Sequence, residues 1–183
     1  MPIVVPYTKQ VWVDNNGANP VSAARMGVLE EGILDVSQAP AVRVFHNTTQ
    51  SITSALQTVL AFNSERYDQA AGAASTQHDT VTNNSRLTCL YAGIYKITGH
   101  IEFAANATGL RLVNIQLNGT TEIARQETLN LGGADPCSLT VTSDYALAVN
   151  DYVQLRAYQS SGGALNVTVS ANFSPEFMMV RVG

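Results

Sequence analysis

From Pro40 onward, apolar and polar residues alternate with a period of two. Tyr95, Ile97, Ile101 and Phe103 are interleaved with Lys96, Thr98, His100 and Glu102. Successive side chains of a strand point to opposite faces, so this rhythm predicts a strand with one face in a core. Val113, Ile115 and Leu117 alternate with Asn114 and Gln116, and the run stops at Asn118-Gly119. That dipeptide predicts a type I′ hairpin, whose two central residues both need positive φ. The return strand is expected from about Glu122 and Ile123. Further runs are Leu139–Val141, Tyr145–Val149, Val153–Ala157, Val167–Phe173 and Phe177–Val182. Short strands joined by Gly- and Asn-rich turns predict an all-β antiparallel fold: a sandwich, jelly roll or closed barrel. No helix-length segment lies between the strands, which excludes a parallel α/β sheet.

Before Pro40 the pattern differs. Residues 1–21 are irregular, with Pro2, Pro6, Pro20 and the turn-forming Asp14-Asn15-Asn16-Gly17. Residues 22–37 predict a helix with Ser22 as N-cap. Met26, Leu29, Ile33 and Val36 recur at intervals of three, four and three, the a/d spacing of a coiled-coil seam. Two heptads are marginal alone, so this helix needs either other copies of itself or its own domain to pack on. The division expected is an N-terminal segment, 1–39, and a β domain, 40–183.

Composition narrows the function. Hydrophobic residues make up 45% of the chain and charged residues only 13%, against about 25% charged in ordinary globular proteins. Thr, Ser, Asn and Gln fill the gap, which suits strands and turns. Net charge is −4 and the only lysines are Lys9 and Lys96. Without a basic cluster, nucleic acid is not an expected partner. No apolar run is long enough to span a bilayer, so no membrane insertion is expected. Met1–Pro6 lacks the charged start of a signal peptide. The N-x-Ser/Thr sequons at Asn47, Asn83, Asn106, Asn118, Asn166 and Asn172 then read as by-products of composition.

Candidate chemistry is sparse. Cys89 and Cys137 have neither metal nor redox spacing, and each falls at the apolar parity of a predicted strand; they read as buried thiols, with a disulfide between them left open. His46, His78 and His100 share no ligand spacing. No nucleophile elbow, phosphate loop or His-Glu-x-x-His motif occurs. The densest charge group is Glu65-Arg66-Tyr67-Asp68, followed by His78-Asp79. Paired carboxylates there could serve glycoside hydrolysis, and Asp68 or Asp79 could hold a divalent cation; a solvated turn or an ion pair between subunits is the reading preferred. No cofactor is expected.

Two resemblances cover most of the chain. Ala41–Phe45, Val59–Asn63 with Tyr67-Asp68, Gly93-Ile94-Tyr95-Lys96-Ile97, Leu147–Leu155 and Phe177–Val182 resemble, in order and spacing, strands of the trimeric jelly roll shared by complement globular heads and the tumour-necrosis-factor superfamily. Asn150 and Met178 stand where that pattern has glycine. Val11-Trp12-Val13-Asp14, Asn19-Pro20-Val21-Ser22, Met26, Leu29-Glu30 and Gly32-Ile33 resemble a segment near the start of tailed-bacteriophage virion proteins. Ser22, Arg25 and Met26 depart from its usual Asn and Asn-Leu. These resemblances imply a homotrimeric jelly roll on the virion, joined to other virion proteins through the Trp12 and Pro20 segment.

The functions that follow are a non-enzymatic tail-fibre or tail-tip protein binding a host surface receptor or glycan, or a head-fibre, decoration or collar protein with a purely structural role. A surface hydrolase ranks third, for want of a catalytic constellation. Receptor contacts are expected in loops at one end of the sandwich. Candidates are the small-residue crossover around Ala73 and Ser75, the loop of Asn130 and Asp135, and the turn at Ser161.

Overall fold

The computed structural model describes residues 24–30, 39–70, 76–129 and 135–183. The chain forms two compact units, residues 1–39 and 40–183. In the first, residues 24–30 are helical, with Val28 and Leu29 exposed and Met26 half-buried. Trp12, Pro20, Ile33 and Val36 lie outside the described residues, as do Ala73, Ser75 and Asn130.

The second unit is an antiparallel sandwich of two sheets. Its strands are β1 (Ala41–Phe45), β2 (Gln50–Ile52), β3 (Thr58–Val59), β4 (Ser64–Gln69), β5 (Arg86–Thr88), β6 (Gly93–Phe103), β7 (Leu110–Leu117), β8 (Thr121–Leu129), β9 (Cys137–Leu147), β10 (Tyr152–Gln159), β11 (Leu165–Val167) and β12 (Glu176–Arg181). In the first sheet β6 carries β9 along one edge and β12, then β11, along the other; β1 and β4 follow β12, and β2 follows β11. In the second sheet β10 lies between β7 and the short β3 and β5, and β8 follows β7. Odd-numbered residues of β6 and β10 enter the core, where Tyr95, Ile97, Ile101 and Phe103 join Val153, Leu155 and Ala157. The hairpin forms at Asn118-Gly119, with φ of 50° and 71° and Thr120 N donating to Leu117 O at 3.1 Å.

Three expectations need correction. Leu139–Val141 and Tyr145–Leu147 belong to one strand, β9, in which half-buried Ser143 interrupts the apolar run but keeps its parity; Val149 lies in the turn that follows. The run Val167–Phe173 leaves the sheet after Val167. Thr168 Oγ1 and Ser170 Oγ turn back onto Glu102, and residues 170–174 close a turn before Pro175. Third, Glu65-Arg66-Tyr67-Asp68 is no turn but part of β4, paired with β1 through a bulge at Arg43/Val44.

Strand register defines the two ends of the sandwich. Pro40, Gly93, Leu147 and Gly183 lie at one, the entry end, where Pro40 O accepts Arg181 N at 2.9 Å. Phe103, Cys137 and Gln159 mark the far end. Cys89 contacts the 150–151 turn at the entry end, so the two thiols are far apart and both are free.

Even-numbered residues of β6 build a polar outer face. Glu102 accepts hydrogen bonds from Ser170 at 2.6 Å, Thr168 at 3.0 Å and Ser138 at 3.2 Å, and the Ser170 bond is the largest cause holding its carboxyl below the usual range. His100 packs edge-on to Phe173 and bonds Thr140 through Nδ1. Burial lowers its pKa, against the raising influence of Glu102 and Glu176. Both groups therefore bind protons less readily when folded. His100 contributes stability that is present above its unfolded pKa and lost as pH falls below about 6.5; Glu102 contributes stability lost below about 4.3. The melting temperature should fall from pH 7 to pH 5 less steeply in His100→Asn than in the parent. Equal slopes would show that burial does not favour the neutral ring.

Candidate functional site

The charge group flagged in the sequence is built into the frame. Arg66 leaves β4 on the outer face, stacks over the Phe45 ring at 4.0 Å, and reaches Glu176 at 2.9 and 3.1 Å. Arg43 Nε bonds the other oxygen of the same carboxylate, which is only 1% exposed. Arg66 thus finds a carboxylate within its own sandwich.

Asp68 and Glu65 serve the crossover that follows β4. Asp68 accepts Gln77 Nε2 at 3.2 Å and His78 N at 3.0 Å. The buried His78 ring places Nδ1 2.9 Å from Glu65 Oε1 and Nε2 3.1 Å from the carbonyl of Asn84. Both ring nitrogens are thus within hydrogen-bond distance of an oxygen, which fixes the ring between β4 and the 84–85 backbone. Asp79 Oδ1 accepts the backbone N–H of Thr82 and of Val81, each at 2.8 Å, and these bonds hold its carboxyl below the usual range. The carboxylates considered as acid–base pair or cation ligands are therefore turned toward N–H donors. Among the described residues no group of three His, Cys, Asp or Glu side chains is placed to hold a metal.

What this frame supports is a cleft of about 540 Å³ at the entry end, between the 76–83 segment and the start of β10. Gln77, Asn83, Arg86, Asn150 and Tyr152 line it, with hydroxyls from Thr76, Thr82 and Thr88. The volume falls within the roughly 300–1,000 Å³ of small-molecule sites. Arg86 stacks over the Tyr152 ring at 4.1 Å. Asn83 and Asn150 hold φ of 55° and 71°, which Asn tolerates better than other side chains. Asn150, met in the sequence as a substitute for glycine, thus keeps the turn and adds an amide to the cleft wall.

The loops proposed from sequence do not converge. Asp135 and Ser161 both lie at the far end, beside the 104–109 loop, whereas the crossover from Gln69 to Gln77 begins and returns at the entry end. Two loops of the far end, at 104–109 and 160–163, are pinned by buried polar groups. Fully buried Arg111 donates to the carbonyls of Thr108, Leu110 and Asn106; Gln159 donates to those of Ile52 and Gly163. Sequence reasoning missed Asn83, Arg86 and Tyr152. Their convergence depends on pairing between β5 and β10, which no local pattern announces.

No protein-family model and no curated protein sequence matches the chain. Solved structures do. Murine APRIL, crystallised at pH 5.0, superposes with a TM-score of 0.58 at 11% identity, covering 79% of this chain and 99% of that one. The Eiger TNF of S. frugiperda superposes with a TM-score of 0.54 at 11% identity, covering 80% and 94%. The fold of this chain is therefore a jelly roll of the tumour-necrosis-factor type.

Proposed function

We propose that the chain is a non-enzymatic virion protein of a tailed bacteriophage, working as a homotrimeric tail-fibre or tail-tip protein that binds a host surface receptor. The observation that carries this reading is a jelly roll of the tumour-necrosis-factor type following a separate unit of residues 1–39, whose sequence resembles virion attachment segments. Three copies around an axis would close without leaving an open association surface, and three identical receptor sites would sum weak contacts through avidity. The exposed Leu29 of the 24–30 helix, at a/d spacing from Met26, suits a seam completed by other copies.

Light scattering of the purified chain should give three times the chain mass; a monomer or dimer at micromolar concentration would sink the trimer. Leu29→Asp would bring three carboxylates into one apolar seam, at a cost of several kcal/mol per unpaired buried charge. Helical signal should fall and protease sensitivity appear between residues 22 and 37, with the sandwich still folded. Unchanged helicity would mean that Leu29 faces no seam. Gold-labelled antibody on intact particles then locates the protein. Label at the tail supports receptor binding, and label on the capsid supports the purely structural role of a head-fibre or decoration protein.

A further inference from the structure

The cleft beside His78 has the features of a recognition site rather than of a packing defect. Its walls are held from behind: Asp68 fixes Gln77 and the backbone of His78, and Thr88 N donates to Gln77 O at 2.7 Å. Its inner surface is left unspent. The side chains of Asn83 and Asn150 and the hydroxyls of Thr76, Thr82 and Thr88 make no hydrogen bond among the described residues, and Arg86 pairs with no carboxylate there. Gln77 is 1% exposed, with its Nε2 donating to Asp68 and to Gln69 O, and so braces the wall from behind.

The lining selects the chemistry of a ligand. Arg86 and Asp79 bring opposite charges to the same cleft, so an ionic ligand gains little net attraction. The other polar groups are amides and hydroxyls, which both donate and accept, beside the Tyr152 ring; the His78 ring also lines the cleft, but its two nitrogens are engaged by Glu65 and by the carbonyl of Asn84. A polyhydroxylated, uncharged molecule matches such a surface.

We propose that this cleft is a binding site for a neutral saccharide, contacted by Asn83, Arg86, Asn150 and Tyr152. The proposal rests on the receptor-binding reading above and gives the receptor a chemical class. It also moves the contact away from the far-end loops, to the flank of the sandwich near the point where the chain enters.

The test uses the full chain and defined probes: chitotriose, maltotriose and cellotriose as neutral sugars, with trigalacturonate and inorganic phosphate as charged controls. Saturation-transfer NMR reads the sugar resonances directly. At least one neutral probe should bind with millimolar affinity or better. Asn83→Gly with Asn150→Gly deletes both amides while keeping backbone conformations that glycine adopts freely. This double variant should bind that probe at least about tenfold more weakly, with unchanged melting. Arg86→Met provides a second route to the same loss. No transfer to any neutral probe at about 10 mM, binding confined to the charged controls, or binding undiminished in both variants would each overturn the proposal. Adhesion of the labelled chain to bacterial cells is measured alongside. Adhesion without saccharide binding sinks the cleft and spares the receptor reading. Saccharide binding lost in the variants, with no adhesion to any strain, upholds the cleft and sinks the receptor reading.

Discussion

Glu176→Ala should lower the melting temperature of the protein by roughly 6–12 °C. Glu176 sits in β12 with its carboxylate 1% exposed, and its two oxygens hold Arg43 and Arg66. Removing it leaves two guanidiniums, each about a third exposed, facing one another without a counter-charge. Breaking a fully buried pair costs about 3–5 kcal/mol; the partial exposure of both arginines argues for the lower bound, about 3 kcal/mol. In a domain of this size each kcal/mol moves the melting temperature by about 2–4 °C. The arginines also hold the 170–174 turn, since Arg43 donates to Asn172 O at 3.0 Å and Arg66 to Ala171 O at 3.2 Å. Loss of the carboxylate should therefore expose that turn to protease first. Because both changes act on one cluster, Glu176→Ala combined with Arg66→Met should cost less than the sum of the two. A fully additive pair, or a change of under about 1 kcal/mol for Glu176→Ala, would show that the cluster contributes no more than a surface ion pair.

Gly99→Val should destabilise the sandwich by about 3 kcal/mol, the upper part of the range for overpacked cores. Gly99 occupies a core-facing position in the middle of β6, directly beneath Leu155 of the opposite sheet. A Cβ there would lie 2.2 Å from Leu155 Cδ1 and 2.8 Å from Cδ2. The need for glycine is steric, because the residue has ordinary strand conformation and its neighbour is fully buried. Leu155→Ala alone opens a cavity and should cost about 2–5 kcal/mol. Together the two changes exchange volume across the inter-sheet gap, so Gly99→Val with Leu155→Ala should be more stable than the sum predicts. Calorimetry of the two single variants and the double variant measures that difference, and simple additivity would mean the two residues do not meet.

What could be read from the sequence was what depends on neighbours in the chain. The alternation in β6, β7 and β10 declares both the strand and the residues that face the core between the sheets, and Asn118-Gly119 declares its turn, because these signals act over a few residues. β4 was illegible for the opposite reason. Among the described residues it lies at a sheet edge, paired with β1, and it carries Glu65, Arg66 and Asp68, whose partners lie outside the strand's own local pattern. The two-residue β3 and three-residue β2, β5 and β11 are too short to display a period. The cleft was harder still. Arg86 and Tyr152 are far apart in sequence, and neither has an unusual local context; only the β5–β10 ladder brings guanidinium and ring together. Asn150 alone gave a hint, as an amide residue where the jelly-roll pattern has glycine.

The hydrogen bond between Pro40 and Arg181 sets how this domain can be handled as a module. Its first strand begins and its last strand ends side by side, the arrangement that lets a domain be inserted into a host loop or circularly permuted. A reporter fused after Gly183 would emerge on the side of Pro40 and leave the opposite loops bare. A tag meant for those loops belongs in the 160–164 turn, where a Cβ on Gly162 or Gly163 would meet no neighbour. Joining Gly183 to Pro40 through a short linker and opening the chain at that turn would reverse the polarity of display, placing new termini where the native chain presents a closed surface.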